Sequence, residues 1–385
     1  MAAALGLAAA ISGETKVLVL TVDPARRLAD ALGIDLPGQQ VTRITDEVAA
    51  AAGVELRGEL WAGMLDVRAG WDELIGRHAP TPEIAERILA HPLYANLTRR
   101  FVHSHDYLAM ERLHEVTASG EFDLVILDTP PSRNALDLLD APQRMQEFFG
   151  SRLIRWLTVP ARSRVANLVS QPFQAVADRL LGAGFLSDIT EFFGLFQTLE
   201  EGFVRHAVEV EAQMAAPETR FVVVTTAEVA PVHEARYLID ELARRKLHLG
   251  GVLANRMTSS PASGEVVSGS KSRTETGRIE GVEDVMALAE RLVASLGETG
   301  DPPEVDAMRS MLEQLHSRAA EIAELSAQQE RLIAELEVRV PSVLRCPILD
   351  RDVQDLSDLA SLAGYLIGET ATAGSSDGPI SPSES

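Results

Sequence analysis

Two stretches of this chain share one pattern: an apolar run that stops at an aspartate, followed at once by a segment suited to a helix. The first is Lys16–Leu32, KVLVLTVDPARRLADAL. Val17–Val22 shows no period-2 alternation, as expected of a strand covered on both faces of a parallel sheet. Pro24 suits a helix start, and Leu28, Ala31 and Leu32 recur at helical spacing. Asp23 therefore falls at the carboxyl end of a strand, where open α/β sheets bind ligands. It is equally a preferred N-cap for a helix beginning at Pro24, and the stretch alone does not choose. Glu121–Asp140, EFDLVILDTPPSRNALDLLD, repeats the pattern. Its strand, Leu124–Leu127, ends in Asp128, Thr129, Pro130 and Pro131 ahead of a helix carrying Leu136, Leu138 and Leu139. An aspartate after an apolar strand is the Walker B arrangement, in which a carboxylate holds magnesium or its water near nucleotide phosphates. Two such junctions argue for a shared site over two unrelated caps.

The remaining segments fill out an α/β chain. Ala2–Ile11 predicts a helix stopped at Gly13, and a helix feeding a buried parallel strand normally follows an earlier strand. Gln40–Asp46 predicts a short strand, while Glu47–Ala79 and Thr81–Arg112 predict mainly helices, with Trp61, Met64, Leu65 and Trp71 packed inward. His103 and His105, two apart, do not share a helix face, so no metal pair is expected there. Arg220–Thr226 and Leu249–Asn255 predict further apolar strands, separated by a helix over Pro231–Lys246. Helices are expected over 281–296 and 303–338, a short strand over Ser342–Ile348 and a last helix over Leu356–Ile367. Gln143–Met214 carries apolar and aromatic residues at helical spacing. Phe148, Phe149, Phe173, Phe185, Phe192, Phe193 and Phe196 make up most of the chain's 11 Phe. They suit either the core of a helical subdomain or an apolar groove for a hydrophobic client.

Composition excludes some functions. With 385 residues, 46% of them hydrophobic, the chain can bury a large core. A net charge of -22 argues against nucleic acid or an anionic membrane as a partner held by bulk charge. The single cysteine, Cys346, rules out an intrachain disulfide and any Cys-pair zinc site within one chain. MAAALGLAAAISG lacks the basic residues of a secretory leader, and no later segment has the length of apolar residues that a membrane span needs. The expected location is cytoplasmic.

In chain order, TVDPARRLADAL, SHDYLAMERLHEV, FDLVILDTPPSRNALDLLDAP, TTAEVAPVHEARYLIDEL, LANR and PILDRDV resemble the ATPase family that includes the ArsA subunit of arsenite pumps and the targeting factor for tail-anchored membrane proteins. The resemblance covers Ala2 to about Ile367. It implies an α/β fold, a mostly parallel P-loop NTPase-like sheet flanked by helices, with a helical insertion subdomain. Residues 1–140 then form the first part of the nucleotide-binding domain, with switch I and switch II. Residues 141–216 are the helical subdomain, 217–368 the second part with a mobile loop at 258–281, and 369–385 a disordered tail.

Carried over to this sequence, the resemblance makes Asp23 the switch I aspartate that positions the attacking water and Asp128 the magnesium-site aspartate, acting through water. Glu228 corresponds to a glutamate reaching the nucleotide, Asn255 to an asparagine reading the adenine edge, and Pro347 and Ile348 to the loop over the base. The implied cofactors are ATP and Mg2+, and the implied partners are a second copy or a related ATPase, and a hydrophobic client or membrane protein. The family's zinc-bridging Cys-x-x-Cys pair is absent, so no zinc is expected. Its phosphate loop, Gly-Lys-Gly-Gly-Val-Gly-Lys-Thr, would stand just before Ala2 and has no counterpart in the sequence. The expectation is a coding start upstream of Met1. The alternatives are a shortened chain that pairs with an active relative and supplies Glu228 in trans, or a client-binding protein without nucleotide chemistry.

Overall fold

In the computed structural model, which describes residues 1–22, 27–36, 40–94, 104–129, 135–150, 185–259, 282–297, 304–340 and 342–373, the first apolar run is the strand β1 (Lys16–Thr21), preceded by α1 (Ala2–Ser12). After it come α2 (Arg27–Leu32), β2 (Val41–Arg43), α3 (Asp46–Ala51), β3 (Glu59–Met64), α4 (Val67–His78) and α5 (Pro82–Leu89). The chain continues with α6 (Ser104–Ser119), β4 (Leu124–Asp128), α7 (Ala135–Phe149), α8 (Phe185–Phe196) and α9 (Glu200–Met214). The last elements are β5 (Phe221–Thr226), α10 (Val229–Arg244), β6 (Leu249–Met257), α11 (Val282–Gly297), α12 (Val305–Glu337), β7 (Val343–Pro347) and α13 (Leu356–Ala373). The chain divides into one unit of Met1–Val223, Glu234–Gly250 and Arg351–Ser385, and a second of Val224–His233 and Gly251–Asp350.

In the first unit the strand order is β2-β3-β1-β4. β1 runs parallel to both β3 and β4, and β2 is antiparallel to β3. The missing alternation in β1 has a direct cause. Val17 and Val19 face α1, which approaches so closely that a Cβ on Gly6 would stand 2.4 Å from Val19 Cγ2. Leu18 and Leu20 face Val116 of α6, with Trp61, Phe122, Val125 and Leu127 packed around them. Both faces are therefore dry: Val17, Leu18 and Val19 are fully buried, as is Leu60, which stands opposite Val17 in the ladder. Lys16, at the strand's start, lies over the rings of Trp61 and Phe122 at 5.0 and 4.8 Å.

Three expectations are corrected here. Residues 59–64, ELWAGM, form the strand β3 within a stretch expected to be mainly helical. Trp61, Met64 and Leu65 fall at helical spacing by coincidence, and pairing with β1 on one side and β2 on the other decides the outcome. Trp71 is buried as expected, whereas Trp61, Met64 and Leu65 are only half-buried. β4 is less buried than a strand covered on both faces, with Leu124 at 38% exposure, because it ends the described order of four strands. α13 continues to Ala373, so residues 369–373, expected in a disordered tail, extend the helix that packs on α1.

The described part of the helical layer closes around an aromatic core. Phe149, Phe192, Phe196 and Phe203 are at most 2% exposed. Phe149 and Phe196 stack with centroids 5.5 Å apart and planes 5° apart, and Phe203 adds to both. Trp71 and Tyr107 complete this cluster. These rings are interior, so the core reading holds for them and they offer no client groove. Phe173 lies outside the described residues. Burial pushes the Tyr107 hydroxyl well above the usual phenol range, helped by the adjacent Glu111 carboxylate to which it donates a hydrogen bond. Burial also lowers His78 to about 4, with His206 and the guanidinium groups of Arg77 and Arg205 adding to the effect.

In the second unit, β6 and β7 are parallel, with Val252 opposite Val343 and Leu253 opposite Leu344, and the sheet order is β5-β6-β7. The register shifts between Ala254 and Met257, where Arg256 takes φ 59. A bulge of this kind re-aims the side chains around it. α12, with 33 residues, is about 50 Å long at 1.5 Å per residue. Its C-terminal half is tied to β7 by Arg345, which holds Glu330 at 3.0 Å and Glu337 at 2.7 Å. Of the expected mobile loop at 258–281, residues 260–281 lie outside the described residues.

Candidate nucleotide site

The carboxyl ends of β1, β3 and β4 meet in the first unit, which is where a parallel sheet exposes strand-end residues to a ligand. Thr21, the last residue of β1, is in register with Met64 of β3 on one side and Asp128 of β4 on the other. Beyond it, Val22 N donates to Asp128 O at 3.4 Å, so the chain leaves β1 alongside Asp128. A concavity at this edge is lined by Leu20, Thr21, Val22, Met64, Leu65, Ala109, Arg112 and Leu127. Asp128 is half-buried and Thr129 exposed. Asp23 and Pro24 lie outside the described residues, as do Pro130 and Pro131.

Arg112 is a site residue that sequence reasoning missed. It comes from α6 and reaches the edge through the fold, paired with Glu115 at 2.7 Å. Its signal was present in SHDYLAMERLHEV, but one arginine in a helix of mixed charge cannot be placed at a sheet edge from spacing alone.

The other expected residues belong to the second unit, where three of them come together. Met257 is in register with Pro347, and Ile348 N donates to Met257 O at 2.9 Å, so the end of β7 folds beside the end of β6. Asn255 stands two residues before Met257, with its side-chain Oδ1 accepting from Arg256 N at 3.0 Å. This contact occupies one lone pair of the amide oxygen and leaves the NH2 group as a donor. Ile348 is 52% exposed, an apolar side chain presented at the same strand ends. Glu228 is exposed in the turn after β5, and its carbonyl opens α10 by accepting from Val232 N at 3.0 Å.

These donor sets suit the cofactors the sequence implies. Carboxylate and hydroxyl oxygens at Asp128, Thr129 and Thr21 are the hard ligands that magnesium takes, alone or through water. An amide near the end of β6 and two apolar residues at the end of the neighbouring β7, Asn255, Pro347 and Ile348, are groups that suit the edge and face of a purine base. No glycine-rich lysine loop occurs in residues 1–385 to hold the phosphates.

Parallel-rich sheets flanked by helices, with an aspartate at the carboxyl end of a parallel strand, define a P-loop NTPase-like α/β protein. The model of the anion-transporting ATPase family, ArsA, matches residues 1–287, and the chain belongs to that family. Its members are ATPases that use ATP and Mg2+. The matched span contains Asp23, Asp128, Glu228 and Asn255 and ends before Pro347 and Ile348. Among the described residues, no helix is long and apolar enough to cross a membrane.

Proposed function

We propose that this chain binds ATP with Mg2+ and takes part in its hydrolysis, coupling nucleotide state to a hydrophobic client or membrane partner. The observation that carries this reading is Asp128 at the carboxyl end of a parallel strand, in register with the end of β1 just before Asp23. When bound, magnesium neutralises charge that develops on the transferred phosphoryl group. Asp128 would hold the ion through water, with the oxygens of Thr21 and Thr129 at the same strand ends, and Asp23 would orient the attacking water. Asn255, Pro347 and Ile348 seat the base, and Glu228 reaches the nucleotide in the same or a paired chain. The protein works as a dimer in the cytoplasm, with itself or with a related ATPase.

A second reading is a non-catalytic subunit that completes the site of an active relative, supplying Glu228 from the exposed turn after β5. ATP turnover by the chain alone and by an equimolar mixture with a loop-bearing family member separates the two. In whichever arm is active, Asp23→Asn and Asp128→Asn each lower kcat by roughly a hundredfold, the scale of losing one charge-stabilising or orienting group. Wild-type rates in both variants would overturn the assigned roles. Turnover only in the mixture favours the subunit reading, and no turnover in either arm sinks the ATPase proposal.

A further inference from the structure

In the first unit, α6 and α9 pack side by side, and three side chains converge between them: His114 from α6, and His206 and Glu209 from α9. His206 Nε2 lies 3.5 Å from Glu209 Oε2, and His114 Nε2 lies 3.8 Å from the same oxygen. The two imidazoles meet edge to face with centroids 5.0 Å apart. Two ligand atoms on a tetrahedral ion with bonds of about 2.1 Å stand about 3.4 Å apart. The observed separations are near that spacing and long for hydrogen bonds.

The outer ring nitrogens show why the inner ones are available. His206 Nδ1 is 2.6 Å from Glu111 Oε2, and Glu111 is buried and also accepts from the Tyr107 hydroxyl. An ionised carboxylate can only accept, so the ring proton sits on Nδ1. His114 Nδ1 is 2.5 Å from Gln213 Oε1, a carbonyl oxygen, which fixes the same tautomer. In that tautomer each ring directs an Nε2 lone pair toward the Glu209 carboxylate, so the three side chains offer three electron-pair donors. Metal-bound histidines characteristically donate their other N–H to a carboxylate or carbonyl, which sets ring orientation and basicity. His206 and Glu209, three apart, share a helix face, and helical bundles build metal sites from such a pair plus residues of a facing helix.

We propose that His114, His206 and Glu209 bind a divalent transition ion of the Zn2+ class, with Glu111 and Gln213 as outer partners and water in the fourth position. Imidazole nitrogens select Zn2+, Co2+ or Ni2+ over Mg2+, so this site differs in chemistry from the one at Asp128. It also owes nothing to cysteine, since Cys346 is the only one. A second cluster, His78, Glu111 and His206, is less suited because His206 Nδ1 is already committed to Glu111.

The full chain, stripped with a chelator, is titrated with Co2+ while its visible ligand-field absorption is recorded, and Zn2+ is then added in competition. The expected result is one equivalent bound at micromolar affinity or tighter, displaced by Zn2+ and not by excess Mg2+. His114→Gln and Glu209→Gln each weaken binding by at least about tenfold, and Gln213→Ala by about ten- to a hundredfold. Circular dichroism of each metal-free variant confirms that it is folded. No absorption up to millimolar Co2+ would overturn the proposal. Undiminished binding by the folded His114→Gln, Glu209→Gln double variant would also overturn it, because the ion would then sit elsewhere.

Discussion

β1 buries both of its faces and β5 buries one. In β1, Val17 and Val19 lie under α1 while Leu18 and Leu20 lie against α6, and none of the four is more than 5% exposed. In β5, Val223 and Thr225 are buried, whereas Val222 and Val224 remain 43% and 45% exposed. The composition of the two strands does not explain this, since KVLVLT and FVVVTT are both apolar β-branched runs. What differs is the cover. α1 has a glycine where it meets β1, which lets a helix come close enough to dry the second face.

The contrast makes graded predictions. Leu18→Ala in β1 should lower stability most, by about 2–5 kcal/mol, since it leaves a cavity in a site with little room to collapse; chemical denaturation followed by tryptophan fluorescence would measure it. Gly6→Ala should cost about 1–3 kcal/mol through overpacking against Val19, a branched side chain with no slack. If the same assay shows no loss, the close approach of α1 is not what covers β1. Val224→Thr in β5 should fall within about 0.5 kcal/mol of the wild type, as substitutions of exposed positions generally do. A loss of 2 kcal/mol or more, roughly the scale of a buried truncation, would show that this face is covered in solution.

The same pair explains what the sequence could and could not disclose. An apolar run ending in aspartate announces a strand and its carboxyl end, so β1, β4 and the place of Asp128 were legible. The run does not say how many faces are covered, because that depends on helices far along the chain. β3 was missed for a related reason: Trp61, Met64 and Leu65 fall at helical spacing, and ELWAGM becomes a strand because β1 and β2 flank it. Asn255, Pro347 and Ile348 were expected from a family resemblance and lie near the ends of β6 and β7, which the backbone contact between residues 257 and 348 joins. The His114, His206 and Glu209 cluster left no mark in the sequence, since its members belong to helices separated by β4, α7 and α8 and only packing brings them together.

β1 is also paired along its length on both sides, to β3 and to β4. Its amide protons are therefore protected by ladders that must both part, beneath two covering helices, before water can reach them. Deuterium uptake at Val17–Leu20 should be the slowest in the first unit, limited by opening of the whole unit and not by fraying of one edge. Those four amides would serve as an internal clock for its global unfolding.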